Sequence, residues 1–265
     1  MNETAELIQV RREPPLGWVV INRPAARNAL NAAMWRALGA AVQTLADDRD
    51  IRVILLTGTG DKAFIAGADI AELKAQTECA ELIEANIRES LAGLRAITAA
   101  SQPVIAMING ACFGGGVLVA VTCDLRFASE HAQFGIPAVK LGVAYPLEEG
   151  VRRLVNTIGP AHAADVLLSG RAFDAAEAER MGLINRSLPA ALLEEFTRDY
   201  ALKMAEGAPL SLTAHKLAIQ HVLQAQDEQT AAQVAAAIQA SYTSADHREG
   251  LRAFLEKRPP VFGRN

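Results

Sequence analysis

Two stretches, residues 51–57 and 103–109, constrain the chain most, because they are apolar at nearly every position. A strand with water on one face alternates apolar and polar residues, and these two do not. Strands of this kind are covered on both faces, as when helices join parallel strands and pack on either side of the sheet. Strand-breaking residues follow each stretch, Gly58-Thr59-Gly60-Asp61 after the first and Gly110 after the second. Helical spacing appears between them. Leu30, Met34, Leu38, Val42 and Leu45 predict an amphipathic helix over 29–46 capped by Asn28, and Leu82, Leu91 and Leu94 mark another over 78–99. Residues 18–22 read as a short strand closed by Arg23-Pro24. Gly114-Gly115-Gly116 opens an apolar helix running to about residue 121, and 124–128 reads as a strand. Beyond Gly150 the chain reads as helical, with starts at Pro160, Asp174, Pro189 and Pro209. The pattern is that of an α/β fold with a helical C-terminal third.

Charge and cysteine usage narrow the partners. Of the 265 residues, 26 are Lys or Arg and 30 are Asp or Glu, a net charge of −4. That balance argues against a nucleic-acid protein held by phosphate contacts, while leaving room for one small anionic ligand. No apolar run reaches the roughly 18 residues of a membrane span, and the first residues lack a secretory pattern, so a cytoplasmic protein is expected. Cys79, Cys112 and Cys123 read as free thiols in a reducing compartment, although a nucleophilic role is open to any of them. The histidines at 131, 162, 215, 221 and 247 form no ligand cluster, so no metal is expected.

Two loops carry the chemistry. Ala63-Phe64-Ile65-Ala66-Gly67-Ala68-Asp69-Ile70 follows the first buried strand, and Asn109-Gly110-Ala111-Cys112-Phe113-Gly114-Gly115-Gly116 follows the second. Both place small residues where a strand gives way to a helix, whose first N–H groups lack intrahelical partners. Two such groups aimed at one point make an oxyanion hole. Either loop alone reads better as a glycine-rich turn that permits close packing, because a glycine triplet is a weak motif.

In their order along the chain, these blocks resemble the enoyl-CoA hydratase/isomerase family, the crotonase superfamily. The resemblance runs from Ile21-Asn22-Arg23-Pro24 and Asn28-Ala29-Leu30 through both loops to Cys123-Asp124-Leu125-Arg126 and Phe134-Gly135-Ile136-Pro137. It continues through Leu167-Leu168-Ser169-Gly170 and Gly182-Leu183-Ile184-Asn185 to the C-terminal block that begins at Glu249. It implies a spiral β/α core over residues 1–195 and a helical oligomerisation region over 196–265, assembled as a homotrimer or a dimer of trimers. It also implies an acyl-CoA thioester as substrate, with coenzyme A part of that substrate and no separate cofactor. The oxyanion N–H groups fall on Ala68 and Gly115; a donor of this kind is worth about 3–4 kcal/mol in a transition state. By the same resemblance Arg27, Lys62, Ala66, Asp69 and Ile70 belong to the CoA- and acyl-binding surface. Phe254 and Lys257 reach CoA from the C-terminal helix, in relatives often that of a neighbouring subunit.

The departures bear on the reaction. The two glutamates of the family's hydratases correspond here to Leu118 and Ala138, acyl-facing positions that cannot activate water or protonate carbon. One reading relocates acid and base to Glu148, Glu149 or Tyr145 and keeps hydration or double-bond isomerisation. Another needs no carboxylate. Leu141-Gly142-Val143-Ala144-Tyr145 is similar to the matching loop of methylmalonyl-CoA decarboxylases, and loss of CO2 from a malonyl-type thioester leaves an enolate for the hole to hold. Those decarboxylases carry His where this chain has Ala68. A third reading is an acyl-CoA-binding subunit without catalysis.

Overall fold

The computed structural model describes residues 7–146, 150–207, 209–222, 243, 245–258 and 260. Strands β1 (Ile8–Glu13) and β2 (Leu16–Ile21) form an antiparallel hairpin, followed by helix α1 (Ala32–Ala46). Then come β3 (Val53–Gly58), β4 (Ala63–Ile65), α2 (Ile70–Gln76), α3 (Ala80–Ala99), β5 (Val104–Ile108), β6 (Ala111–Phe113) and α4 (Gly115–Thr122). They are followed by β7 (Leu125–Ser129), β8 (Gln133–Gly135), α5 (Arg152–Ser169), β9 (Ala172–Asp174), α6 (Ala175–Arg180) and β10 (Arg186–Leu188). Helices α7 (Ala190–Ala205), α8 (Pro209–Val222) and α9 (Ala245–Leu255) complete the described elements.

A six-stranded sheet runs β1-β2-β3-β5-β7-β10, parallel from β2 onward. The short strands make a second sheet, β4-β6-β8-β9. Each turn of the chain lays a long strand in the first sheet, a short one in the second, and then a helix, so the chain winds as a spiral. The large sheet is buried on both faces, as the unbroken apolar runs predict. Ile54 and Leu56 face the cluster that contains α1, α3 and the small sheet, while Val53 and Leu55 face Leu193, Ala201 and Ala205 of α7. Burying each such side chain contributes about 1.5–3 kcal/mol. Among the described residues no helix is long and apolar enough to cross a membrane.

The structure corrects several local expectations. Asn28 does not cap α1. It is buried with φ 59°, accepts the Arg23 N–H at 2.9 Å and donates to the carbonyls of Thr59 and Ala63. The cap is Asn31, whose side chain accepts the Met34 N–H at 2.9 Å, because residues 28–30 are committed to tying strand ends together. On α3 the buried face is Ile83, Leu94 and Ile97, and Leu82 is exposed. Beyond Gly150, β9 and β10 interrupt the helices. Strands of three residues are too short to show a period, and their pairing with β8 and β7 is what makes them strands. Pro160 does begin a helical segment, since α5 is broken at Gly159 with φ 74°. The boundary at 195/196 falls inside α7, which packs on the large sheet. Of the expected helical stretch from 211 to 256, residues 223–242 and 244 lie outside the described residues.

Candidate active site

The two loops meet because β4 pairs with β6 and β6 leads directly into α4. Glycines make the approach possible. A Cβ on Gly116 would sit 2.4 Å from the Ile65 carbonyl oxygen, so the first turn of α4 rests directly on β4. Gly67 and Gly114 both have positive φ, 122° and 54°. A Cβ on Gly114 would lie 2.9 Å from the Tyr145 hydroxyl and 3.8 Å from the Gly67 Cα.

Ala68 forms an isolated parallel bridge with Leu30. The bridge uses the Gly67 carbonyl, which accepts from Leu30 at 2.9 Å, and the Asp69 N–H, which donates to Leu30 at 2.9 Å. The Ala68 N–H therefore faces the opposite side. Gly115 is the first residue of α4, where an N–H has no intrahelical acceptor and the helix dipole favours negative charge. Ala68 and Gly115 line one cavity of about 60 Å³. Its other walls are Trp35 from α1, Leu118 from α4, Tyr145, Pro146 and Gly150 from the chain ahead of α5, and Asn86, Ile87, Ser90, Leu91 and Leu94 from α3. Among the described residues no carboxylate lines it. A larger cleft of about 770 Å³ lies between β1, the strand ends and α7, but contains neither Ala68 nor Gly115.

Leu118 stands one turn beyond Gly115 and is buried; Ala138 is buried in a short 3-10 helix, Pro137–Leu141, outside the cavity lining. Burial pushes the Tyr145 hydroxyl up to about 12, so it stays protonated at neutral pH and serves as a donor rather than a base. Burial also pushes the thiols of Cys112 and Cys123 upward, which leaves both as unreactive core residues. Glu148 and Glu149 lie outside the described residues.

Arg27 and Ala66 are joined, the Arg27 carbonyl accepting the Ala66 N–H at 3.1 Å, and neither lines the cavity. Lys62, just ahead of β4, and Ile70, the first residue of α2, are exposed and do not line the cavity. Asp69 is occupied structurally: it caps α2 through the Glu72 N–H and pairs with Arg23. Burial pushes its carboxyl up, but those two donors outweigh the effect and hold it below the usual range. Phe254 and Lys257 are exposed and do not line the cavity of their own chain. Sequence reasoning missed Asn86 and Ser90. The available signal was a pair of polar residues four apart on the face of α3 that also carries Ile83, Ile87, Leu91 and Leu94.

A family model described as enoyl-CoA hydratase/isomerase matches residues 13–265. The chain belongs to the enoyl-CoA hydratase/isomerase family. It is 35% identical over 258 residues to a 2,3-dehydroadipyl-CoA hydratase of Escherichia coli, covering 97% of this chain and 98% of that one. Among solved structures it is similar to an enoyl-CoA hydratase/carnithine racemase from Magnetospirillum magneticum, with 37% identity, a TM-score of 0.79 and coverage of 98% and 96%. It is also similar to a methylmalonyl-CoA decarboxylase in complex with 2-nitronate-propionyl-CoA, with 27% identity, a TM-score of 0.87 and coverage of 98% and 99%. The spiral described above is thus the crotonase fold, and the protein is an acyl-CoA enzyme of this family.

Proposed function

We propose that the protein decarboxylates a malonyl-type acyl-CoA. The observation that carries this reading is the cavity at Ala68 and Gly115, whose described lining holds a protonated tyrosine and no carboxylate. The bond between the α-carbon and the carboxylate breaks, CO2 departs, and the electron pair enters the thioester enolate. The enolate oxygen is stabilised by the N–H groups of Ala68 and Gly115. A proton from the Tyr145 hydroxyl or from water then returns to the α-carbon. Leu118 keeps the cavity dry, which favours dispersal of the carboxylate charge into CO2 and enolate. The TM-score of 0.87 to the methylmalonyl-CoA decarboxylase supports the reading.

Hydration is the second reading, favoured by the hydratase name of the Escherichia coli relative, and it requires Glu148 or Glu149 as base. A panel of malonyl-, methylmalonyl-, ethylmalonyl- and crotonyl-CoA separates the two. CO2 release from a malonyl-type thioester, with crotonyl-CoA hydrated far more slowly, is the expected result. Ordinary hydratase turnover of crotonyl-CoA overturns it, and bound CoA without any turnover points to a non-catalytic subunit.

For assembly, we propose a homotrimer or dimer of trimers in which Phe254 and Lys257 approach a neighbour's CoA. The support is the exposed apolar surface of α8 and α9, where Leu217 is 60%, Ile219 62% and Phe254 49% exposed. A monomer at micromolar concentration by light scattering refutes it. Three unpaired thiols support a cytoplasmic location.

A further inference from the structure

The polar side of the cavity comes from one helix face. Asn86 and Ser90 stand one turn apart on α3, in a wall otherwise made by Ile87, Leu91 and Leu94. The Ser90 hydroxyl gives its only proton to the Ile87 carbonyl at 2.9 Å, so its oxygen retains only lone pairs. The Asn86 amide is oriented by Glu72. A carboxylate only accepts, so it takes the Nδ2 end, at 3.1 Å. Glu72 is fixed in turn, both of its oxygens accepting the Ala32 N–H at the start of α1, at 3.1 and 2.9 Å. One Nδ2 hydrogen is thereby engaged, and the Asn86 carbonyl oxygen and second Nδ2 hydrogen are left for other partners. Elsewhere in the lining, beside Gly114, the protonated Tyr145 hydroxyl supplies a donor.

We propose that Asn86, positioned by Glu72, and Ser90 form a polar wall, backed by the Glu72 carboxylate, that sorts acyl substituents: a hydroxyl is held there, and a carboxylate is turned toward Tyr145. The inference rests on the reading of Ala68 and Gly115 as the thioester site. A hydroxyl gives its proton to the Asn86 or Ser90 oxygen and can accept the remaining Asn86 N–H in return. A carboxylate brings only further lone pairs, and meets the Glu72 charge behind Asn86 as well. In a cavity of about 60 Å³, a substituent on a short acyl chain must lie against one wall or the other.

Trp35 lines the cavity, so stopped-flow tryptophan fluorescence reports binding before turnover. The probes are butyryl-CoA, 3-hydroxybutyryl-CoA and malonyl-CoA, tested on wild type, Asn86→Leu, Ser90→Ala, the double variant of these two, and Glu72→Gln. Wild type is expected to bind the hydroxylated thioester about three- to tenfold more tightly than butyryl-CoA, the range of one net hydrogen bond. Asn86→Leu should lower that ratio most, Ser90→Ala should lower it less, and the double variant should bring it to about one. Glu72→Gln removes the charge while its Oε1 still accepts the Asn86 Nδ2 and the Ala32 N–H, so malonyl-CoA binds more tightly and hydroxyl preference is kept. A merely structural role for Glu72 would weaken all three ligands together. Equal wild-type affinity for butyryl- and 3-hydroxybutyryl-CoA, or a preference that survives the double variant, overturns the proposal. Failure of all three thioesters to bind wild type overturns the thioester site itself, and the sorting wall with it.

Discussion

Gly116→Ala isolates the geometry of the proposed oxyanion hole from its chemistry. Gly116 lies within α4 and carries no positive φ, so alanine is not strained there and adds helix propensity. The cost is steric. The new Cβ would lie 2.4 Å from the Ile65 carbonyl oxygen and 2.9 Å from the Ile65 Cβ. Ordinary contact begins near 3.4 Å, so α4 must retreat from β4 by about 1 Å. Ile65 sits in β4 and cannot swing aside as a flexible side chain can. The retreat carries the Gly115 N–H away from the point it shares with Ala68, stretching a donor distance of about 3 Å to about 4 Å. Loss of one such donor costs about 10²- to 10³-fold in kcat. Overpacking of this kind also costs about 1–3 kcal/mol of stability, or about 2–10 °C in Tm for a chain of this size. The assay is kcat and KM on the best thioester of the panel, beside thermal unfolding. Gly39→Ala is the control, because its Cβ would meet nothing nearer than 3.4 Å. A stably folded Gly116→Ala protein with wild-type kcat would falsify the assignment of α4's first turn to the reaction.

Tyr145→Phe should slow decarboxylation by about 10- to 100-fold if the hydroxyl positions the carboxylate or returns the proton. Because that hydroxyl is pushed up to about 12, the step it supports should persist through pH 10 and fade only as pH nears 12, read from a pH–rate profile. Leu118→Glu combined with Ala138→Glu should add crotonyl-CoA hydration and depress CO2 release by charge repulsion; a double variant that gains no hydratase activity and releases CO2 at the wild-type rate refutes the logic of the lost pair. Leu55→Ala, on the sheet face against α7, should cost about 2–5 kcal/mol in chemical denaturation without altering KM, and a cost below 1 kcal/mol would contradict its full burial.

The elements that announce themselves by local pattern were legible before any coordinates. The runs at 51–57 and 103–109 became β3 and β5, buried on both faces, because a covered strand needs apolar residues at every position. The order of the two small-residue loops, and the replacement of both family glutamates by Leu118 and Ala138, were equally plain in one dimension. Other features belonged to contacts between distant residues. Asn28 and Asn31 both suit a helix cap by residue type, and only the strand ends at Thr59 and Ala63 claim Asn28. The strands β9 and β10 exist through pairing with β8 and β7. Asn86 and Ser90 are two polar residues on a helical stripe, and no local pattern singles them out. They became a wall of the cavity because α3 packs on α1 and α2, with Glu72 reaching from α2 to hold the Asn86 amide. A period of 3.6 residues says which side chains share a face. What that face meets is decided by the sum of packing from several chain segments, and no window of the sequence contains that sum.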